Sequence, residues 1–380
     1  MKRNALILCA LVLVVVTCCV FAAGCTSQDT AYQPDRVYDL ENQAYTHEFV
    51  EYLQTRTDYP YAVGETLYFR DGLTTGHPSD FSFNGCPGGM VEEIYDIGDV
   101  RVSIMDEAGI TTAVISCSPG VEEVPREEAV KYARQMNDAV AEAMKKYPGR
   151  ILGAITLPTP YVNESIAELE RCVNELGLQY WHTYSNYGYN GDRLSDAKFE
   201  PLLAKCEELD VPIYIHPNFP ITDYLLDSGA VFGSAGFGFS VDAMKTVLNL
   251  ILSGTLDQHP DLTIILGHLG EYFPYALDRM DNRFAQSGDS SQQYKENISY
   301  YFKNNIYLTT SGITQEDSVL LALNSLGSDR ILFGSDYPYE NVKSEVDFIK
   351  SLPISDEDKD KILYKNAEQY ILKDRTSKSA

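Results

Sequence analysis

Short apolar, β-branched segments alternate along this chain with longer amphipathic ones. Eight of the short segments predict β-strands, at 37–41, 112–117, 151–157, 178–182, 212–216, 262–268, 305–311 and 330–336. Between them, apolar residues recur at three- and four-residue spacing and predict helices at 127–147, 163–176, 199–209, 241–258 and 318–326. Strands that alternate with helices in this way indicate an α/β fold, a (β/α)₈ TIM barrel.

Two segments are longer than a minimal strand–helix repeat requires. Residues 45–95, rich in Tyr, Phe, Gly and Pro, follow the first strand, and residues 218–240 follow the fifth strand. We interpret both as insertions at the barrel mouth, the first as a loop or lid. A final helix at 355–372 should pack beneath the barrel.

The N-terminus has a different pattern. A basic start at 1–3 precedes an apolar run at 6–23, and Ala22-Ala23-Gly24-Cys25 resembles the lipobox of a prokaryotic lipoprotein. We therefore expect a lipoprotein signal peptide at 1–24, a lipidated Cys25, a tether at 25–34 and one barrel domain at 35–375. An uncleaved anchor helix is the alternative. Either way, the predicted localisation is exported, on the outer side of the cytoplasmic membrane.

The formal net charge of −25 argues against nucleic-acid binding and against binding to anionic lipid headgroups. Solubility or a salty habitat explains this acidity more simply than a binding function does. An anionic small-molecule substrate would need a locally positive site, which a bound metal could supply. The eight cysteines show no CxxC or zinc-finger spacing.

Four predicted strands end at side chains that can bind a metal. Glu41, His216, His268 and Asp336 each close an apolar run, and the last three lie beside or near Gly or Pro. Because the carboxyl ends of parallel barrel strands meet at one mouth, these side chains predict an active site there.

Several segments resemble one enzyme family. They are RVSIMDEAGI at 101–110, VPIYIHP at 211–217, GHLGE at 267–271, LDRMDNRF at 277–284 and GSDYP at 334–338. In this order they resemble the amidohydrolase-related family that contains the metal-dependent decarboxylases of aminocarboxymuconate semialdehyde and of γ-resorcylate. The resemblance runs from about residue 38 to about residue 372 and implies a barrel of the metal-dependent hydrolase type.

The resemblance implies one divalent metal, held at positions Glu41, Gln43, His216 and Asp336. The family has His at the second of these positions, and Gln43 could add only a weak neutral oxygen. The other three residues are enough for a catalytic site with open positions for water or substrate. This oxygen-rich set should bind zinc less tightly and shift the preference towards manganese or magnesium. The alternative is an inert relic of the site.

His268 corresponds to the acid/base of the family, and imidazole suits that role because its pKa lies near neutral pH. Glu271, placed in a predicted first helical turn, could orient His268. Alternatively, His268 only caps its strand and Glu271 favours a helix N-terminus. Two substrate-binding candidates are Arg279, which could instead belong to an ion-pair network or subunit contact, and His182, which points either into the mouth or between helices.

Together these features predict a metal-dependent hydrolase or carboxy-lyase acting on a small aromatic or cyclic carboxylate, carbonyl or lactone. In decarboxylation, a protonated group would deliver a proton to the ring carbon. In hydrolysis, Asp336 or His268 would take a proton from water. The resemblance also implies a homodimer or larger homo-oligomer. The alternative function is a catalytically impaired barrel that serves as a lipid-anchored ligand-binding protein.

Overall fold

A ring of parallel strands forms the centre of the fold in this computed structural model, which describes residues 32–64, 66–69, 73–75, 92–188, 191–221, 230–287 and 293–375. Within these residues the strands are β1 (Tyr38–Ala44), β2 (Tyr61–Val63), β3 (Thr66–Phe69), β4 (Leu73–Thr75), β5 (Thr112–Cys117), β6 (Ile151–Gly153), β7 (Trp181–Tyr184), β8 (Ile213–His216), β9 (Ile264–Leu266), β10 (Ile306–Thr309) and β11 (Ile331–Leu332).

The eight parallel strands form two sheets that join at both edges. One sheet has the order β1-β5-β6 and the other β7-β8-β9-β10-β11. Isolated bridges connect Ile155 with Trp181 and Asn42 with Tyr337. The Leu40 amide also donates to the Phe333 carbonyl at 3.1 Å across the second junction. The strands therefore form one ring, and the predicted (β/α)₈ barrel is confirmed.

Helices follow the barrel strands in the predicted alternation. Within the described residues they are α1 (His47–Gln54), α2 (Glu92–Tyr95), α3 (Asp99–Ala108), α4 (Arg126–Lys146), α5 (Val162–Arg171), α6 (Glu200–Glu208), α7 (Gly238–Leu252), α8 (Thr255–Gln258), α9 (Phe273–Ser287), α10 (Ile298–Asn304), α11 (Glu316–Leu326), α12 (Val342–Ser351) and α13 (Asp356–Asp360). The helix predicted at 241–258 is divided in two at Gly254, whose φ of +75° favours glycine. The C-terminal helix continues beyond α13 as two π-helical segments, Lys361–Lys365 and Ala367–Ile371.

The barrel interior is a packed core and not a pore. Eight buried side chains, one at or beside each parallel strand, meet in a single cluster: Leu40, Val114, Ala154, Tyr180, Tyr214, Ile265, Tyr307 and Leu332. Ala367 and Ile371 join the same cluster, so the C-terminal helical segment packs against the barrel core. Polar side chains that come later on the same strands are thereby directed towards the mouth.

The first insertion contains more regular structure than the loop or lid that we predicted. Helix α1 and the antiparallel sheet β2-β3-β4 lie within it. The ring of Phe69 on β3 lies 5.5 Å from that of Phe219 at the start of the second insertion. The two insertions therefore touch. Residues 76–91 and 222–229 lie outside the described residues.

The expected signal peptide and lipidation site, with most of the tether, also lie outside the described residues, which begin at 32. In the described part of the chain, no helix is long and apolar enough to cross a membrane. The described residues from Pro34 onwards make one compact unit.

Candidate metal centre

Four side chains that are far apart in the sequence converge at the barrel mouth. Glu41, His216, His268 and Asp336 each place one possible ligand atom within 4.8 Å of the others. Nε2 of His216 lies 3.4 Å from Oε1 of Glu41, and Nε2 of His268 lies 3.8 Å from Oδ2 of Asp336. Glu41 and His216 are buried, whereas His268 and Asp336 are partly exposed. The structure therefore brings together the four side chains whose convergence the sequence predicts.

A β-bulge directs Glu41 into the site. The pairing of β1 with β5 shifts register between Asp39 and Asn42. One carboxylate oxygen, Oε2, accepts hydrogen bonds from the hydroxyls of Tyr214 and Ser311. The other, Oε1, has no hydrogen-bond partner among the described residues. Burial raises the pKa of Glu41, and the nearby charge of Asp336 raises it further. A buried carboxylate oxygen without a donor suits a cation.

His216 ends β8 in an orientation that suits a metal ligand. Its Nδ1 lies 2.8 Å from the carbonyl oxygen of Pro217. A carbonyl only accepts, so Nδ1 carries a proton, and Nε2 is the ring nitrogen that can offer a lone pair to a metal. Nε2 faces Oε1 of Glu41.

Asp336 follows β11 in a backbone conformation that few residues adopt. Its φ is +59°, in the left-handed region. The preceding turn is held by the Ser335 amide, which donates to Asp39 Oδ1 at 2.9 Å. Of the two Asp336 oxygens, Oδ1 accepts from Gln43 at 2.6 Å. Oδ2 therefore remains directed towards His268.

His268 and Glu271 form a pair beside this cluster, with 2.9 Å between Nδ1 of His268 and Oε1 of Glu271. His268, Leu269 and Glu271 all have positive φ, which is a local indication of a functional turn. Our expectation that Glu271 begins a helix was wrong, because helix α9 starts only at Phe273. Burial alone lowers the pKa of His268, but the charge of Glu271 and the side-chain interaction with Asp336 outweigh it and raise that pKa well above its usual range.

Gln43 also lies in the cluster, but its amide nitrogen faces the ligand atoms. Nε2 is 2.6 Å from Asp336 Oδ1 and 3.2 Å from His216 Nε2. Oε1, which the sequence suggests as a weak ligand, instead accepts from Ser118 Oγ at 2.9 Å.

The two substrate candidates differ in position. His182 is only 2% exposed, and its ring centroid lies 5.6 Å from that of His216. Neither ring nitrogen has a hydrogen-bond partner in the part of the chain that the structure describes. Burial lowers the pKa of His182 well below its usual range, so the ring is neutral. Arg279 is exposed on helix α9 and is not among the residues brought together in the cluster.

The sequence analysis did not identify three residues that contact the site. Tyr214 precedes His216 by two positions on one strand, and the two-residue period of a strand would have placed both side chains on the same face. Ser311 ends the seventh predicted strand and contacts Glu41. Arg101, in the RVSIMDEAGI segment, donates to the Gln43 carbonyl at 3.0 Å, and its guanidinium lies over the Tyr337 ring, 4.7 Å from the centroid. Burial lowers the pKa of Arg101 to about 10.

Two carboxylates and one imidazole with an available nitrogen make a donor set that fits a divalent cation. The unpartnered Glu41 Oε1 and the Nε2 lone pair of His216 face each other across 3.4 Å. Asp336 adds a second carboxylate, and the His268–Glu271 pair adds an acid or base next to it.

Comparison with known proteins identifies the family. A protein-family model described as Amidohydrolase matches residues 106–370. The γ-resorcylate decarboxylase of Rhizobium sp. strain MTP-10005 is 32% identical over 317 residues, which cover 81% of this chain and 94% of that relative. The predicted family resemblance and enzyme class are confirmed.

Solved structures give the same result. The dihydroxybenzoic acid decarboxylase of Polaromonas sp. JS666, with bound manganese and the inhibitor 2-nitroresorcinol, is 30% identical with a TM-score of 0.74, covering 88% of this chain and 96% of that chain. The 5-carboxyvanillate decarboxylase of Novosphingobium aromaticivorans, complexed with manganese and a nitrobenzoic acid, is 28% identical with a TM-score of 0.76, covering 91% and 99%. A divalent metal and a small-molecule substrate are thereby supported, whereas zinc in particular is not.

The comparisons contradict the predicted exported, membrane-anchored lipoprotein. The relatives that match most of this chain are decarboxylases, and they match it along nearly their whole length. The short N-terminal pattern around Cys25 was therefore a misleading guide to localisation. The lipid-anchored ligand-binding alternative receives no support either.

Proposed function

The chain belongs to the amidohydrolase family, and we propose that it is a divalent-metal-dependent decarboxylase of a hydroxylated aromatic carboxylate. The observation that carries this proposal is the convergence of Glu41, His216 and Asp336 beside the His268–Glu271 pair. The substrate class is suggested by the similar decarboxylases, which act on dihydroxybenzoates and on a carboxyvanillate.

In this proposal Glu41, His216 and Asp336 hold the cation. When bound, the cation would supply positive charge next to the substrate carboxylate and an adjacent ring oxygen. Manganese is the metal that we favour, because two carboxylates and one imidazole form an oxygen-rich set and because the similar structures contain it.

His268 is the proposed proton donor. Its Nε2 proton would pass to the ring carbon that bears the carboxylate, and the carbon–carboxylate bond would then break with loss of carbon dioxide. The bonding electrons return to the ring, which restores its aromaticity. Glu271 holds Nδ1 at 2.9 Å and keeps Nε2 directed towards the cluster. The His268 side chain is 21% exposed, so solvent can return the proton.

His182 is the proposed contact for the substrate ring. It is a neutral, buried imidazole next to His216, and one of its nitrogens carries a hydrogen that could be donated to a substrate oxygen. Its edge-to-face partner Tyr184 gives that side of the site an aromatic wall, which suits a flat substrate.

We also propose a homodimer or homo-oligomer of this single barrel domain, 35–375. Its support is the family resemblance together with two exposed tyrosines, Tyr272 just before helix α9 and Tyr275 on it. Tyr275 is 84% exposed.

The test is a turnover assay with manganese-loaded protein. γ-Resorcylate and 5-carboxyvanillate would be followed by ultraviolet absorbance and by carbon dioxide release, with lactones as the comparison class. We expect carbon dioxide from an aromatic acid, and a loss of at least about 100-fold in kcat for His268→Ala.

The matched control is His259→Ala. His259 forms the same kind of pair, with its Nδ1 2.9 Å from Glu207, but outside the cluster. Its substitution should leave kcat within a few-fold. Hydrolysis of a lactone without release of carbon dioxide, or equal turnover in both variants, would overturn the proposed function.

A further inference from the structure

Gln43 presents a hydrogen-bond donor to the proposed ligands. Its Nε2 donates to Asp336 Oδ1 at 2.6 Å and lies 3.2 Å from His216 Nε2. Its Oε1, the side-chain atom that could bind a cation, accepts from Ser118 Oγ at 2.9 Å. We propose that Gln43 is a positioning residue that orients Asp336, and not a metal ligand. This inference rests on the proposed metal site.

The contacts of the amide determine its orientation. If the amide were turned over, Oε1 would lie 2.6 Å from a carboxylate oxygen of Asp336. Two acceptors at that distance repel each other, because an ionised carboxylate has no hydrogen to share. The hydroxyl of Ser118, itself buried, then satisfies the amide oxygen from the opposite side.

The backbone of Gln43 is fixed as firmly as its side chain. Its amide donates to the Tyr337 carbonyl at 2.7 Å, and its carbonyl accepts from Arg101 at 3.0 Å. The Arg101 guanidinium also lies over the Tyr337 ring. Arg101, which is buried, therefore contacts both the Gln43 backbone and Tyr337, the residue after Asp336. These contacts fix the backbone from which the Gln43 side chain reaches Asp336.

This arrangement defines which atoms remain for a cation. With Oδ1 of Asp336 held by Gln43, Oδ2, which faces His268 Nε2 at 3.8 Å, is the oxygen left for a cation. The Nε2 lone pair of His216 can accept the Gln43 amide hydrogen or bind a cation, but not both. Metal binding should therefore move the amide away from His216 and keep its bond to Asp336. Glu41, His216 and Asp336 are then the three protein ligands.

A manganese titration tests this role without any turnover. Gln43→Met keeps the length and burial of the side chain but removes the donor, and thioether sulfur is a poor ligand for manganese. We expect the variant still to bind one manganese per chain, with the dissociation constant raised about 10- to 100-fold, as for other partners of metal ligands. The readout is the free-manganese signal in electron paramagnetic resonance.

Ser116→Ala is the matched control. Ser116 is buried on β5, the strand that ends one residue before Ser118. Its hydroxyl donates to the Asn42 carbonyl at 3.3 Å. It should leave manganese affinity unchanged. Ser118→Ala should weaken binding in the native background and have no further effect in Gln43→Met, because its contribution passes through Gln43.

A change below about threefold in Gln43→Met, or loss of stoichiometric binding, would overturn the inference. If the variant does not fold, a crystal structure of the manganese-loaded native chain decides. Gln43 Oε1 should then lie beyond about 3 Å from the ion, since a ligand oxygen would lie at about 2–2.5 Å. Failure of every aromatic acid to react would contradict the proposed function but would leave these binding results intact.

Discussion

Tyr214 belongs to the buried barrel core, and its hydroxyl orients the Glu41 carboxylate. It donates to Oε2 of Glu41 and lies 2.9 Å from Thr309 Oγ1. A hydrogen bond to a charged group contributes about 1.5–3 kcal/mol, which corresponds to roughly 10- to 100-fold in a binding constant. Because Ser311 still donates to Oε2 in Tyr214→Phe, we expect the lower end, about a tenfold weaker affinity for manganese.

Tyr180→Phe provides the control for this measurement. Tyr180 is equally buried, its ring lies 5.9 Å from that of Tyr214, and its hydroxyl donates to the backbone carbonyl of Leu40. Both variants should lower the free energy of unfolding, by about 1 kcal/mol or more. Only Tyr214→Phe should weaken manganese binding in a titration. Equal weakening in both variants, or none in Tyr214→Phe, would refute the argument.

Three further predictions concern Gln43, Glu271 and the buried carboxyl of Glu122, which lies outside the metal cluster. Gln43→His should raise zinc affinity roughly 10- to 100-fold by adding a ligand, measured by competition with a chelator, and no change would contradict the position assigned to Gln43. Glu271→Gln should lower kcat by about 10-fold or more at unchanged manganese content, because His268 loses a charged partner at Nδ1; an unaltered kcat would exclude that role. Burial raises the pKa of Glu122 to about 8, above its ordinary value of 4.5. The neutral carboxyl therefore stabilises the fold fully below pH 4.5, and this contribution is lost as the pH rises through about 8. In Glu122→Gln, the free energy of unfolding measured with denaturant should change less between pH 5 and 8 than in the native chain. An equal change in both proteins would contradict the raised pKa of Glu122.

The sequence was sufficient to predict the barrel and the meeting of its strand ends. Apolar runs that each close on a ligand-type side chain determine where Glu41, His216, His268 and Asp336 lie, because a parallel barrel brings all strand ends to one mouth. Strand boundaries differ by a few residues, and the sheet inside the first insertion was missed. Its strands are three or four residues long and lie among turn-forming residues, which hides their alternation.

The sequence pattern could not predict contacts between segments that are distant along the chain. The bulge in β1 that turns Glu41 into the barrel leaves no local signal. The bond from Ser118 to Gln43 joins residues 75 positions apart, and it decides whether Gln43 offers an oxygen or a hydrogen to the site. The positive φ values of His268, Leu269 and Glu271 likewise depend on the surrounding fold, so Glu271 was expected in a helix that starts two residues later.

The central claim is that one cation is held by Glu41, His216 and Asp336. The most direct measurement is the anomalous difference density of crystals grown with manganese and collected on both sides of its absorption edge. We expect one peak per chain at the barrel mouth, within about 2.5 Å of Glu41 Oε1, His216 Nε2 and Asp336 Oδ2. A peak at any other place, or no peak at saturating manganese, would contradict it.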